Sequence, residues 1–189
     1  MNRILQKQTK YLCWFQANSV IFWQRIGNTF CNIHDIEASW LLDRACDVLG
    51  KEELTEQTKQ YTTVIASEVY KEALDHGNEA GRASGETAMN NECFKGEVDT
   101  TRVWWVQAEA MVGFYNCYQK TGEEKYKKIS EDLWEYIKKY IIDKREGSEW
   151  FWDLDRAGEP ASRKPIVEPW KCPYHNGRAC MEMMRRIKE

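Results

Sequence analysis

Three short stretches of this chain gather side chains able to move protons and to hold a polyhydroxylated ligand. In HDIEASW, His34 and Glu37 stand three residues apart. On a helix that spacing puts both on one face, so the carboxylate orients the imidazole or accepts from a hydroxyl bound beside it. In WWVQAEA, Trp105 and Glu109 are four apart and pair an aromatic platform with a hydrogen-bond acceptor, as a sugar site requires. PWKCPYHNGR packs Trp170, Lys171, Tyr174, His175 and Asn176 into a loop stiffened by Pro169 and Pro173. The residue before a proline is driven into extended backbone, so Cys172 is extended and Trp170 and His175 are held in a fixed relation at the mouth of a helix. Two imidazoles on one rim, with tryptophans and carboxylates between them, point to proton chemistry on a carbohydrate.

Taken singly, the groups have plainer readings: a histidine packed at a helix start, a core tryptophan, a solvated glutamate. Packing explains the third loop worst, because a rigid aromatic loop has no structural purpose by itself. Two histidines and two glutamates could ligate zinc in principle. There is no H-E-x-x-H pair and no cysteine cluster at ligand spacing, so a metal is not expected. No G-x-S-x-G supports a serine nucleophile. His76 falls in the glycine-rich HGNEAGRASGE and reads as solvated.

The elements that carry these stretches must bring them together. Apolar residues Ile36, Trp40, Leu41, Ala45 and Val48 recur at helical spacing and Gly50 sits where a helix would end, so a helix runs from His34. KEELTEQTKQYTTVIASEVYKEALD continues as a second helix up to the glycines at 77, 81 and 85. TRVWWVQAEAMVGFYNCYQKTG reads as a strongly apolar helix ended by Gly122, and EEKYKKISEDLWEYIKKYIID as a more polar one with solvent-facing lysines and glutamates. EGSEWFWDLDRAGEP alternates and turns, predicting a short hairpin, and YHNGRACMEMMRRIK is the last helix, with Pro173 near its first turn. His34, Trp104 and Tyr174 stand at the amino ends of the inner-type helices, separated by 70 and 70 residues. That repeat predicts an all-α chain of three stacked helical hairpins, whose inner helices start at one rim and bring the three motifs into one cleft.

A chain of 189 residues with 42% hydrophobic content suffices for one domain with a real core. A net charge of −3 without a Lys/Arg stripe gives no electrostatic footprint for nucleic acid, so no nucleic-acid partner is expected. No apolar run approaches a membrane span and the start MNRILQKQTKYLCWFQ has no cleavable apolar leader, so the expected location is cytoplasmic, away from membranes. Seven cysteines without a C-x-x-C pair are expected to be reduced and mostly buried. Residues 1–32, including the aromatic YLCWFQANSVIFWQRIG, follow neither helical nor alternating order and stand apart from 33–189.

HDIEASWLL, RVWWVQAEAMVGF and PWKCPYHNGR together resemble the motifs of the cellobiose 2-epimerase branch of the N-acylglucosamine 2-epimerase family. The resemblance covers roughly residues 33 to 188, and three long motifs in the right order make it specific. It implies an (α/α)6 barrel and reversible epimerisation at C2 of the reducing-end sugar of a β-1,4-linked disaccharide, without cofactor or metal. It makes His34 and His175 the general acid/base pair, and puts Glu37, Trp40, Trp105, Glu109 and Trp170 among the residues that position the substrate. Asn176 after the histidine favours the disaccharide branch. The chemistry suits these side chains. Once the hemiacetal opens, C2–H is α to an aldehyde, a base of pKa near 6.5 can remove it, and the cis-enediolate takes a proton back on the opposite face.

The chain also departs from the family pattern. Ile33 stands where glycine is usual before the histidine, and Glu168 where a small residue precedes Pro169. The resemblance implies six hairpins, and an arginine and a further histidine from a preceding half. The chain therefore reads as the carboxyl half of such a barrel, expected to self-associate through its exposed edge and not to convert cellobiose alone. The competing readings are a non-catalytic carbohydrate-binding helical repeat, a plain helical scaffold, and an N-acylglucosamine 2-epimerase or aldose–ketose isomerase.

Overall fold

The structure is a computed structural model that describes residues 32–75, 87–94, 96–160 and 164–188. The expectations for residues 1–31, His76 and the glycine-rich turn lie outside the described residues.

Helix α1 (Asn32–Leu49) closes at Gly50, whose φ of 62° is left-handed backbone that glycine adopts without a Cβ penalty. Helix α2 (Glu52–Glu72) starts with Glu52 and Glu53 at its positive end and returns along α1, burying Ile65, Ala66 and Val69. Helix α3 (Trp104–Thr121) is buried around most of its circumference, from Trp104 through Phe114 to Cys117, because it packs against each of the four other helices among the described residues. Helix α4 (Glu124–Tyr136) is amphipathic: Tyr126 stacks on Phe114 of α3 and the Ser130 hydroxyl donates to the Met111 carbonyl at 2.8 Å. A π-helical turn over Ile137–Ile141 extends it. Helix α5 (Tyr174–Arg186) follows Pro173 and packs against α3, with Arg186 donating to Asn116 and Gln119. The inner layer is α1, α3 and α5, and the outer layer is α2 and α4.

The inner layer is tied at its far end by a buried polar network. Asn116 and Thr62 donate to the Asp43 carboxylate at 2.6 and 3.0 Å, and burial pushes the Asp43 pKa upward. Nearer the helix starts, α1 and α3 touch at Gly113, where a Cβ would stand 2.6 Å from Cγ1 and 2.9 Å from the carbonyl oxygen of Ile36. Alanine would normally favour a helix over glycine by up to about 1 kcal/mol. Here the clash involves backbone, so α1 must move; Gly113→Ala is expected to lose about 1–3 kcal/mol net, read as a lower urea midpoint. An unchanged midpoint would mean the two helices separate freely.

Several expectations need correction. Helix α2 ends at Glu72, and Leu74–Asp75 (β1) pairs antiparallel with Ala88–Met89 (β2). The cause is tertiary: the buried Arg102 guanidinium donates to Asp75 (2.5 Å), the Met89 carbonyl (3.0 Å) and Asn90 (2.5 Å), and so joins both strands. Glu92–Phe94 (β3) and Glu97–Asp99 (β4) form a hairpin around Gly96 that periodicity did not predict. EGSEWFWDLDRAGEP folds back on itself only at a single antiparallel bridge, Leu154↔Pro160, rather than as a two-stranded ladder. Its strand Asp153–Leu154 (β6) pairs with Arg102–Val103 (β5) before α3, while bridges Ile142↔Trp150 and Leu154↔Pro160 turn its ends. Alternation gave the buried face, with Leu154 fully buried, but not the partner.

Among the described residues there are two helical hairpins and a fifth helix, not three hairpins. Of the cysteines among the described residues, Cys46 and Cys117 are buried, but Cys93, Cys172 and Cys180 are partly exposed, so these five are less buried than expected. Val48 on α1, Met181 and Met184 on α5, and Ile187 just beyond it are exposed. No helix among the described residues is long and apolar enough to cross a membrane.

Candidate active site

The amino ends of α1, α3 and α5 converge at one rim. The β5–β6 pairing anchors the start of α3, where the Trp104 amide donates to the Trp152 carbonyl at 3.1 Å. Trp104 is thereby buried, Trp105 turns to the rim, and Glu109 lies one turn deeper with no exposed surface.

The Glu109 carboxylate is fully engaged. Trp40 Nε1 donates to Oε2 at 2.9 Å, Arg178 Nη2 donates to Oε1 at 2.7 Å, and His175 Nδ1 lies 2.7 Å from the same oxygen. Arg178 Nη2 also donates to Glu37 Oε1 at 2.5 Å, so one guanidinium joins two carboxylates. His175 stacks on Trp105 (centroids 5.0 Å apart, 25° between planes) and meets Trp104 edge-on at 6.4 Å. A carboxylate oxygen at 2.7 Å requires Nδ1 to carry its hydrogen, so in the neutral imidazole Nε2 holds the lone pair. The exposed His34 ring packs against the same indole, 5.4 Å from it and tilted by 48°.

The charges around this rim are tuned by burial. Burial works against the Arg178 charge, but Glu109 and then Glu37 outweigh it and raise the pKa of the guanidinium. Asp35, beside His34, is pushed up to about 6 by burial and by the charge of Glu72. Tyr174 is raised by burial and then by Glu37.

Six of the seven expected residues come together: His34, Glu37, Trp40, Trp105, Glu109 and His175. Trp40 and Glu109 are wholly buried. Trp170 stands apart, 82% exposed, in the tight turn closed by the backbone pairing of Glu168 with Lys171. Among the described residues it makes no ring contact or hydrogen bond with the cluster. Arg178 was not among the expected residues, although its place three residues after His175 puts it on the same face of α5. Glu149, which binds Lys171 and Asn176, has no local signal because it arrives from a loop remote in sequence.

Glu37, Glu109 and His175 offer ligand atoms within 4.8 Å of one another. Arg178 already sits between the two carboxylates as a fixed cation, so this donor set is built around an arginine rather than around a metal ion.

Residues 33–179 match the N-acylglucosamine 2-epimerase (GlcNAc 2-epimerase) family. A cellobiose 2-epimerase of Ruminococcus albus is 50% identical over 161 residues, covering 85% of this chain and 39% of that protein. One from Dictyoglomus turgidum is 45% identical over 154 residues, covering 82% and 37%. A solved sugar epimerase from a ruminal bacterium superposes with a TM-score of 0.76 at 50% identity, over 85% of this chain and 39% of that one. The cellobiose 2-epimerase of Spirochaeta thermophila gives 0.74 at 39% identity, over 88% and 39%. The chain thus spans about two-fifths of the length of these relatives.

Proposed function

The chain belongs to the N-acylglucosamine 2-epimerase family and forms about half of an (α/α)6 barrel, and from that we propose that it carries the proton-transfer part of a sugar 2-epimerase site. The substrate class is a β-1,4-linked disaccharide such as cellobiose, whose reducing-end glucose and mannose are interconverted at C2. What supports this most is the arrangement of His175: Nδ1 on the buried Glu109, one face on Trp105, and Nε2 without a protein partner among the described residues. Such an imidazole is a positioned base with a fixed tautomer.

In this reading the open-chain sugar lies across Trp105 between the two imidazoles. One histidine takes the C2 proton, the aldehyde becomes a cis-enediolate, and the other returns a proton to the opposite face of C2. Neither atoms nor electrons are gained, so the reaction needs no redox partner. Glu37 and Arg178 at the rim bind hydroxyls or the developing enediolate oxygen, while Trp40 and Glu109 hold them in place. Trp170, exposed on its stiff turn, offers a platform to the far sugar. Trp170→Ala is expected to leave stability unchanged and to weaken disaccharide binding by about 1–3 kcal/mol, by analogy with aromatic stacking on bases, measured by titration calorimetry. Unchanged affinity would remove Trp170 from the site.

The test of the reading is a chimera in which residues 33–188 replace the matching segment of the Ruminococcus albus relative. It should introduce solvent deuterium at C2 of cellobiose and yield the mannose-ended epimer. A folded chimera that binds cellobiose without exchange would leave a carbohydrate-binding helical repeat instead.

A further inference from the structure

Lys171 and Asn176 belong to the rim loop yet touch neither imidazole. Lys171 is 1% exposed, and its ammonium pairs with Glu149 Oε2 and donates to the Ile166 carbonyl at 2.8 Å. Asn176, next to His175 in the first turn of α5, donates through Nδ2 to Glu149 Oε1. The Trp150 amide donates to Oε2 at 2.7 Å. One carboxylate therefore collects the loop before α5, the first turn of α5 and the β6 loop. The Lys171 ammonium also lies 5.5 Å from the Trp104 ring centroid, and Trp104 meets His175 edge-on.

Stability alone does not call for this arrangement. Burying an ammonium carries a large desolvation cost, and well-packed apolar residues often replace a buried ion pair without loss. What an ion pair adds is direction. Among the described residues Asn176 Oδ1 is buried without a hydrogen-bond partner, and Glu149 is the group that orients this amide. We propose that Glu149, Lys171 and Asn176 are positioning residues: a buried clamp that fixes the start of α5 and so holds the His175 imidazole on Trp105 and Glu109. The role as a catalytic aid rests on the epimerase reading; the clamp itself is a statement about geometry.

The test uses the whole chain and the ring-nitrogen resonances of its three histidines, assigned by single substitutions. In Lys171→Met, which keeps the stem packing and leaves the partly exposed Glu149 to be hydrated, the His175 shifts should lose the pattern of an Nδ1-bonded ring and approach those of free histidine. The His34 shifts should stay in place, and Lys171→Arg should restore the His175 pattern. Asn176→Ala should cause the same loss. Should Lys171→Met unfold the chain, Lys171→Met/Glu149→Gln, which leaves no buried charge, carries the same readout. Wild-type His175 shifts in a folded Lys171 variant and in Asn176→Ala would overturn the clamp. No sugar enters this measurement, so a chimera without C2 exchange would count against the epimerase reading and not against the clamp.

Discussion

His175→Asn is expected to lower C2 deuterium exchange in the chimera by roughly 10²- to 10⁴-fold, the range supplied by a positioned general base or acid. Asparagine is the informative replacement because its amide can still donate to Glu109 Oε1 and so keeps the carboxylate from being stranded. What it removes is the Nε2 lone pair and the stacked ring on Trp105. Loss of the stacked ring alone would weaken ground-state binding by about 1–3 kcal/mol, taking aromatic stacking on bases as the guide, and would appear in KM. Loss of the base appears in kcat, since proton transfer is made only in the transition state. His34→Asn should act through kcat as well, because both imidazoles pack on the same indole. Near-normal exchange together with near-normal epimerisation in either variant, with cellobiose still bound, would take that histidine out of the proton path. If one variant keeps exchange but loses epimerisation, the retained histidine works on one face of C2 alone.

The sequence made the rim legible and left its supports hidden, for a physical reason. Helix starts and ends depend on local signals, so Gly50, Gly122 and Pro173 place α1, α3 and α5, and the 70-residue spacing lines up their mouths. Contacts three and four residues apart on one helix are equally local. Glu109 and Trp105 share a face of α3 as expected, and both meet His175. Burial depth is not local: periodicity puts Trp40 on the face of α1 that carries Glu37, but only the packing of α3 makes it an internal donor to Glu109. Strand pairing is less local still. Asp153–Leu154 finds its ladder partner before α3, with only a single bridge to Pro160 in its own loop, and Arg102 ends α2 by binding Asp75 from 27 residues away. Glu149 was invisible for the same cause, since its partners lie 22 and 27 residues onward.

Arg178→Met is expected to destabilise the chain by about 3 kcal/mol, the lower part of the range for removing one partner of a buried ion pair. The lower part is chosen because the loss falls unevenly. Glu37 keeps some solvent contact and can be hydrated, whereas Glu109 has none. Glu109 still accepts from Trp40 and His175, which spares it complete isolation. Methionine fills most of the volume of the arginine stem beside Trp40, so the deficit measures charge rather than a cavity. Adding Glu109→Gln should recover most of it, because the stranded charge is then gone and the amide can still accept from Trp40. Urea unfolding of the chain and its single and double variants closes the cycle, with a coupling expected within about 0.5–3 kcal/mol. Were Arg178→Met as stable as the parent and the double variant no better, Arg178 would not be the counter-charge of Glu109, and its place between the two carboxylates would have to be explained by what it binds.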